Sequence, residues 1–351
     1  MTSLLVDHSH VRGHATGIER YAIDQFSEAA LPDHEVIEVK ASSIIDMIRV
    51  QQIGLPLRVW RDNPALALFP GFPPSPLAMA VLGKRAIVFV HDLFALERWG
   101  ELNMKAKFYT SPQFWLAIKT ARSFLVNSSY TRERLRSVCR ADADIGLYRA
   151  VIDDRFGLSG RERPAAWTPG RELRLVTVGT VEPRKNNPGA IAIVRALNSS
   201  GIKARLDVIG RVGWGDHSYI EAARDIATFH GFLPEEEGRR LISSADFYLC
   251  ASHDEGLGLP LLEVQHGRLP VIAPDRAPFT ETMRAGALLV DVSKPQDAAA
   301  EIAVTLQTPG RLTQLSGEAA INVARWNADA LSDRSEFRML MYRAGVSRRN
   351  A

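Results

Sequence analysis

From Asp246 to Pro274 the chain reads DFYLCASHDEGLGLPLLEVQHGRLPVIAP, an apolar strand followed by a glycine-bearing loop and a helix start. Glu255, Gly256 and Gly258 sit in the loop, Pro260 can open a helix at its first position, and Glu263 falls within that helix's first turns. Glycines let a ligand come close to the backbone, and the free amides of a helix start favour anionic oxygen, so the turn suits phosphate. A carboxylate one turn inside such a helix can accept two hydrogen bonds from vicinal hydroxyls, as the ribose-binding acid of dinucleotide folds does. Gly256, Gly258 and Pro260 alone would equally mark an ordinary strand-to-helix turn. Two glutamates eight residues apart carry no weight without their context.

That context resembles the Glu-x7-Glu signature of glycosyltransferase family 4, the retaining enzymes of the GT-B fold, whose pattern runs E-G-F-G-L-P-x-x-E and then G-x-P-V. This chain departs from it at Leu257, which replaces Phe, and at the less usual Gln265 and His266. A second block, LVTVGTVEPRKN from Leu175 to Asn186, resembles the loop after the first strand of the family's donor domain. The resemblance implies that Glu255 binds donor-sugar hydroxyls, that Glu263 binds the ribose, and that Gly179, Gly256, Leu257, Gly258 and Leu259 line the donor. It places Arg184 and Lys185 against the diphosphate, where negative charge builds as the glycosidic bond breaks and fixed cations stabilise it.

Weaker echoes of the same family precede these blocks. Thr16, Gly17, Ile18, Glu19, Arg20 and Tyr21 resemble the family's Gly-x-x-Arg-Tyr helix start, with Gly17 facing the donor phosphates and the usual double glycine absent. His91 and Asp92 resemble its H-D pair, in which the histidine lies beside the donor sugar. Asn127, Ser128, Tyr130, Thr131 and Arg132 resemble its N-S-x-x-T-R turn, and the usual Asn-Gly-Val-Asp is reduced to Val151, Ile152 and Asp153. The implied chemistry is transfer with retention through an oxocarbenium-like state, the leaving phosphate helping to deprotonate the acceptor. It needs no cofactor and no essential metal. The helix start is most like that of mannosyltransferases, which favours GDP-mannose as donor, and a glycan or lipid-linked acceptor in polysaccharide or lipopolysaccharide synthesis.

The elements that must position these residues alternate along the chain, short β-rich runs with longer helical patterns, which is the signature of parallel α/β architecture. Strands are expected at Leu4 to Asp7, Glu35 to Val39, Ala86 to Val90, Phe124 to Val126, Leu173 to Val178, Leu206 to Ile209, Asp246 to Ala251, Val271 to Ala273 and Leu288 to Val292. Helices are expected at Gly17 to Ala30, Thr131 to Val138, Gly189 to Leu197, Ile220 to Thr228, after Pro260, and through the tail from Ala298. Gly157, Gly160, Pro164, Pro169 and Gly170 mark a linker. The expected organisation is an α/β, GT-B pair of Rossmann-like domains facing across a cleft: an acceptor domain at 1–155, a linker at 156–172, a donor domain at 173–325, and C-terminal helices at 326–351 that pack back on the first domain.

Composition narrows the class further. A chain of 351 residues with 46% hydrophobic content can fill two cores, and 43 basic against 40 acidic residues are too balanced for a dedicated nucleic-acid binder. Two cysteines, Cys139 and Cys250, the latter in an apolar run, and the lack of a signal-like start or spanning segment fit the cytoplasm. Peripheral contact with an anionic membrane is expected through residues 98–140, which carry nine basic residues against two acids with Trp99, Phe108, Tyr109, Phe114 and Trp115 interleaved. The plain counter-reading is a helix that packs its aromatics and solvates its charges. His8, His10 and His14 offer a metal-like spacing that would suit a metal-dependent hydrolase, and a non-catalytic nucleotide-sugar-binding protein could keep the same fold. A NAD-dependent dehydrogenase is disfavoured, because no Gly-x-Gly-x-x-Gly follows the first strand.

Overall fold

The computed structural model describes residues 3–11, 17–102, 106–163 and 167–346. The chain divides into two compact units, one of residues 1–151 and 329–351 and the other of residues 152–328. Thr16, His14 and Lys105 lie outside the described residues.

The first unit holds a six-stranded parallel sheet in the order β2-β1-β3-β4-β5-β6, built from β1 (Ser3–Asp7), β2 (Glu35–Val39), β3 (Leu66–Phe69), β4 (Ala86–Val90), β5 (Ser123–Val126) and β6 (Asp144–Leu147). Its central strands are covered by helices on both faces, so they read as unbroken apolar runs: every residue of Leu66–Phe69 and Ala86–Val90 is buried. The second unit repeats the plan in the order β12-β11-β10-β7-β8-β9, from β7 (Leu173–Val178), β8 (Ala204–Ile209), β9 (Ala227–Gly231), β10 (Phe247–Leu249), β11 (Val271–Pro274) and β12 (Ala287–Val290). Its core packs Leu175, Leu206 and Phe247 of the sheet against Ile193, Val194 and Leu197 of the helix Asn187–Ser199 and Ile302 of the helix Pro295–Gln307.

A single helix, Arg311–Val346, ends the described chain. Its residues from Asp329 onward belong to the first unit, where Asp333 accepts from the Arg149 backbone N–H at 3.0 Å and from Arg149 Nη1 at 3.0 and 3.2 Å. Phe337 is buried there beside Tyr148, ring centroids 4.9 Å apart.

The structure departs from the sequence reading in three places. The expected helix from Ile220 to Thr228 is one short turn, Glu221–Ala223, followed by β9, whose residues pair with β8 in parallel register, Leu206 beside Ala227. Only Ala223 of that turn is buried, so a helix there would have no face to bury, and pairing with the sheet edge prevails. Strands β3, β6 and β9 have no counterpart among the expected strands. The near-continuous helical run from Ile44 to Asp62 has no counterpart among the expected elements; it has a π-turn at Val50–Gly54 and apolar side chains on opposite faces, which blurs its period.

Candidate functional site

In the second unit β7 lies between β8 and β10, so the chain order reverses at β7 and β10. In an open parallel sheet the loops leaving the carboxyl ends of the two strands at such a reversal frame a crevice, the usual ligand position. Here those loops are residues 179–186 and 250–258, the two blocks singled out from the sequence.

Backbone and amide contacts join the loops. Asn186 adopts the left-handed conformation at φ 49° and ψ 48°; its Oδ1 caps the helix Asn187–Ser199 by accepting from Gly189 N–H at 3.1 Å, and its Nδ2 donates to Ala251 O at 3.0 Å. His253 N–H donates to Arg184 O at 2.8 Å. Gly210, after β8, brings its Cα against the first loop: a Cβ there would lie 2.0 Å from Gly179 O, so only glycine permits this approach.

The joined loops bring three of the expected residues together. Glu255 is 6% exposed and accepts from Lys185 Nζ at 2.5 Å, Arg184 Nη1 at 2.7 Å and Ser252 Oγ at 2.8 Å. Burial pushes the Glu255 pKa up, but the two cations and their hydrogen bonds prevail and hold it at about 2. Glu255 is therefore a carboxylate at neutral pH, an acceptor and not a general acid. Arg184 is steadied from its other side by Glu182, whose Oε1 accepts from Arg184 Nε at 3.1 Å, and Arg184 Nη1 also donates to Asp254 O at 3.1 Å. The neighbouring Cys250 thiol is pushed up by burial and by the Glu255 charge.

Gly179 sits beside this cluster: a Cβ on it would lie 3.3 Å from Lys185 Cε. Gly256, Leu257 and Gly258 are buried in the second loop and Leu259 is half-buried. Gly258 takes φ 72° and caps the helix Leu259–Glu263, so Pro260 occupies the second helical position and not the first. That helix has five residues before a 3-10 turn, Val264–Gly267, so its dipole is modest, and Arg184 and Lys185 add positive charge beside it. Glu263 is buried at its last residue.

The two unusual residues that follow are structural. Gln265 Nε2 donates to Gly286 O at 2.8 Å and its Oε1 accepts from Asn322 Nδ2 at 2.8 Å, while His266 Nε2 donates to Ile152 O at 2.9 Å. Ser252, Glu182 and Asn186 were not among the expected site residues. Only Asn186 carried a signal, as an Asn just before a helix with Pro188 in its first turn.

The remaining expected residues belong to the first unit. His91, at the end of β4, is half-buried; its Nε2 donates to Pro70 O at 2.7 Å and its ring meets Tyr21 edge-on with centroids 5.0 Å apart. Burial pulls its pKa down to about 4, so at neutral pH the ring is uncharged and Nδ1 is its acceptor. Gly17 opens the helix Gly17–Phe26 on the surface with nothing near its would-be Cβ. Ser128 caps the helix Ser129–Val138 through Thr131 N–H at 3.1 Å, which gives the N-S-x-x-T-R turn a structural task. His8 and His10 are buried; His8 Nε2 donates to Ala22 O at 3.2 Å, and His10 packs on Gly71 and Phe72. Among the described residues no group of three or more His, Cys, Asp or Glu could hold a metal ion. Among the described residues, too, no helix is long and apolar enough to cross a membrane.

The family profile described as Glycosyl transferases group 1 matches residues 161–321. The serotype-specific mannosyltransferase WbdA of Escherichia coli is 31% identical over 130 residues, 35% of this chain and 16% of WbdA. The GDP-mannose-dependent alpha-(1-6)-phosphatidylinositol monomannoside mannosyltransferase of Mycobacterium tuberculosis is 30% identical over 206 residues, 50% of this chain and 51% of that protein. This chain thus spans a small part of the first relative and about half of the second. In fold it is similar to the sucrose-phosphate synthase of Thermosynechococcus elongatus, with a TM-score of 0.72 at 15% identity over 97% of this chain and 100% of that one. The chain thus has the GT-B fold, a pair of Rossmann-like units, and its residues 161–321 are similar to the glycosyl transferases group 1 family.

Proposed function

We propose that the protein is a retaining glycosyltransferase that moves a hexose, mannose from GDP-mannose being favoured, onto a glycan or lipid-linked acceptor in cell-surface polysaccharide or lipopolysaccharide synthesis. The observation that carries this reading is the convergence of Arg184 and Lys185 on Glu255 at the sheet reversal of the second unit. In this reading the bond between the sugar's anomeric carbon and the donor phosphate oxygen breaks, and the leaving nucleoside diphosphate keeps the electron pair. Arg184 and Lys185 stabilise that charge, and the acceptor hydroxyl attacks from the same face while its proton passes to the leaving phosphate. Glu255 accepts from donor-sugar hydroxyls, Glu263 from the ribose, and His91 contacts the transferred sugar. Fixed cations take the part that a divalent ion plays elsewhere, so the proposed transfer persists in EDTA.

Mannose is supported by the likeness of the Thr16-to-Tyr21 start to that of mannosyltransferases and by the named activities of the two relatives. We assign the reaction to the cytoplasmic face of a membrane, with peripheral contact through residues 98–140. There Trp99, Phe108 and Trp115 are exposed and Lys107 Nζ lies 4.9 Å over the Trp99 ring.

The test is a panel of nucleotide sugars against the purified protein, read by thermal shift and by donor hydrolysis, with Glu263→Ala as control. Stabilisation or turnover with one donor, lost in the control, supports the reading and names the sugar. Stabilisation without turnover in the presence of acceptor glycans would replace it with a non-catalytic binding protein, and no response to any donor would overturn it.

A further inference from the structure

The helical run from Ile44 to Asp62 in the first unit is apolar on two opposite faces. Met47, Gln51, Leu55 and Val59, four residues apart, are buried against the unit's core. Half a turn away, Ile45 is 81% exposed, Ile53 57% and Leu57 58%, with Trp60 at 74% on the flank. A surface helix ordinarily turns polar residues outward, so an outward ridge of isoleucine, leucine and tryptophan calls for an occupant.

The charges beside the ridge say which. Arg49 and Arg61 fall on the outward stripe itself, and Arg58 lies beside it; Arg58 and Arg61 share the single carboxylate of Asp62. The helix Pro76–Leu82 packs alongside and exposes Leu77, and Lys84 follows it. Gln52 Nε2 donates to Gln113 Oε1 at 3.1 Å, and Tyr109 OH donates to Gln51 Oε1 at 2.9 Å, which fixes the ridge beside the segment bearing Phe108 and Trp115. Over residues 44–62, 76–85 and 106–120 there are seven basic residues against two acidic ones.

We propose that this ridge is a docking surface for an anionic lipid bilayer, with Ile45, Ile53, Leu57 and Trp60 entering the headgroup boundary and Arg49, Arg58 and Arg61 meeting lipid phosphates. Exposed aliphatic and tryptophan side chains flanked by arginine are the composition of helices that lie in a membrane interface. A second copy of the chain fits poorly, because a two-fold contact would set the arginine-bearing ridge against itself. The inference rests on the peripheral-membrane part of the proposed function and moves its centre from residues 98–140 to the helical run before them.

Sedimentation of the full chain with vesicles of phosphatidylcholine and phosphatidylglycerol, against vesicles of phosphatidylcholine alone, tests it. The wild-type protein binds the anionic vesicles, and Leu57→Ser with Trp60→Ser lowers the partition at least about tenfold while leaving the melting temperature within a few degrees. Arg58→Gln with Arg61→Gln lowers binding only on the anionic vesicles. Lys107→Glu with Lys119→Glu separates the two regions: if that pair abolishes binding and the ridge variants do not, the ridge assignment is overturned and the contact belongs to residues 98–140. Wild-type protein that ignores both vesicle types overturns both. Light scattering that shows a dimer converted to monomer by Leu57→Ser and Trp60→Ser, with vesicle binding unchanged, would give the ridge to a second copy instead.

Discussion

Arg184 Nη1 donates to Glu255 Oε2 at 2.7 Å, a contact between residues 71 positions apart that exists because the loops after β7 and β10 leave the same end of one parallel sheet. Lys185 completes a fork on the same carboxylate. The pairing fixes the charge state of the cluster before any ligand arrives. It also ties local stability to pH.

Glu255 has a folded-state pKa of about 2 against an ordinary value of 4.5, so its contribution to stability is complete above about pH 4.5 and is lost as pH falls towards 2. Glu255→Gln removes that contribution at neutral pH. The variant melts at a lower temperature than wild type at pH 7, and the gap narrows as thermal unfolding is followed from pH 5 to pH 3. A gap that stays constant over this range would mean that the ion pairs do not set the carboxylate's charge.

Asn186 holds both loops from a left-handed backbone position. Asn186→Ala loses the helix cap, the bond to Ala251 and the tolerance for positive φ, and costs about 2–3 kcal/mol in urea unfolding. Asn186→Gly loses the two bonds but keeps the backbone unstrained, and it falls between the alanine variant and wild type.

His91 is uncharged at neutral pH, its one ring proton on Nε2 donated to Pro70 O. Its folded-state pKa of about 4 lies below the ordinary 6.5, so its burial destabilises the fold progressively as pH falls from 6.5 towards 4, where the unfolded chain takes up the proton first. Nuclear magnetic resonance of the histidine rings between pH 5 and 8 shows the His91 signals nearly unmoved while exposed histidines titrate. A midpoint near 6.5 for His91 would contradict the half-buried, Pro70-bonded geometry.

The C-terminal helix completes the first unit through Arg149 and Asp333, both largely buried. Asp333→Ala leaves the Arg149 guanidinium without this carboxylate and costs about 3 kcal/mol, measured by equilibrium urea unfolding. Ending the chain at Ala328 removes Phe337 and Leu340 from the first unit's core, so limited proteolysis of that variant cuts residues 17–151 well before residues 173–328.

Much of this was legible in the amino-acid order because the informative signals are local. Apolar runs such as Ala86–Val90 announce strands buried on both faces, and Glu255, Gly258 and Glu263 sit within nine residues of each other on one strand-loop-helix unit. The alternating pattern of strands and helices determined the parallel α/β class, and the loop blocks after β7 and β10 determined the family resemblance. What the sequence could not supply is which distant side chains meet. The sheet order alone brings Arg184 and Lys185 onto Glu255, and Ser252 and Glu182 gain their places only because that cluster forms. Likewise, the tertiary structure decided that the stretch after Ile220 pairs as the edge strand β9, that Gln265 and His266 serve as ties within the second unit, and that the second apolar face of the run from Ile44 to Asp62 points outward. Periodicity reports that a face is apolar, but burial is a property of what packs against it, and that partner is chosen by contacts far away in the chain.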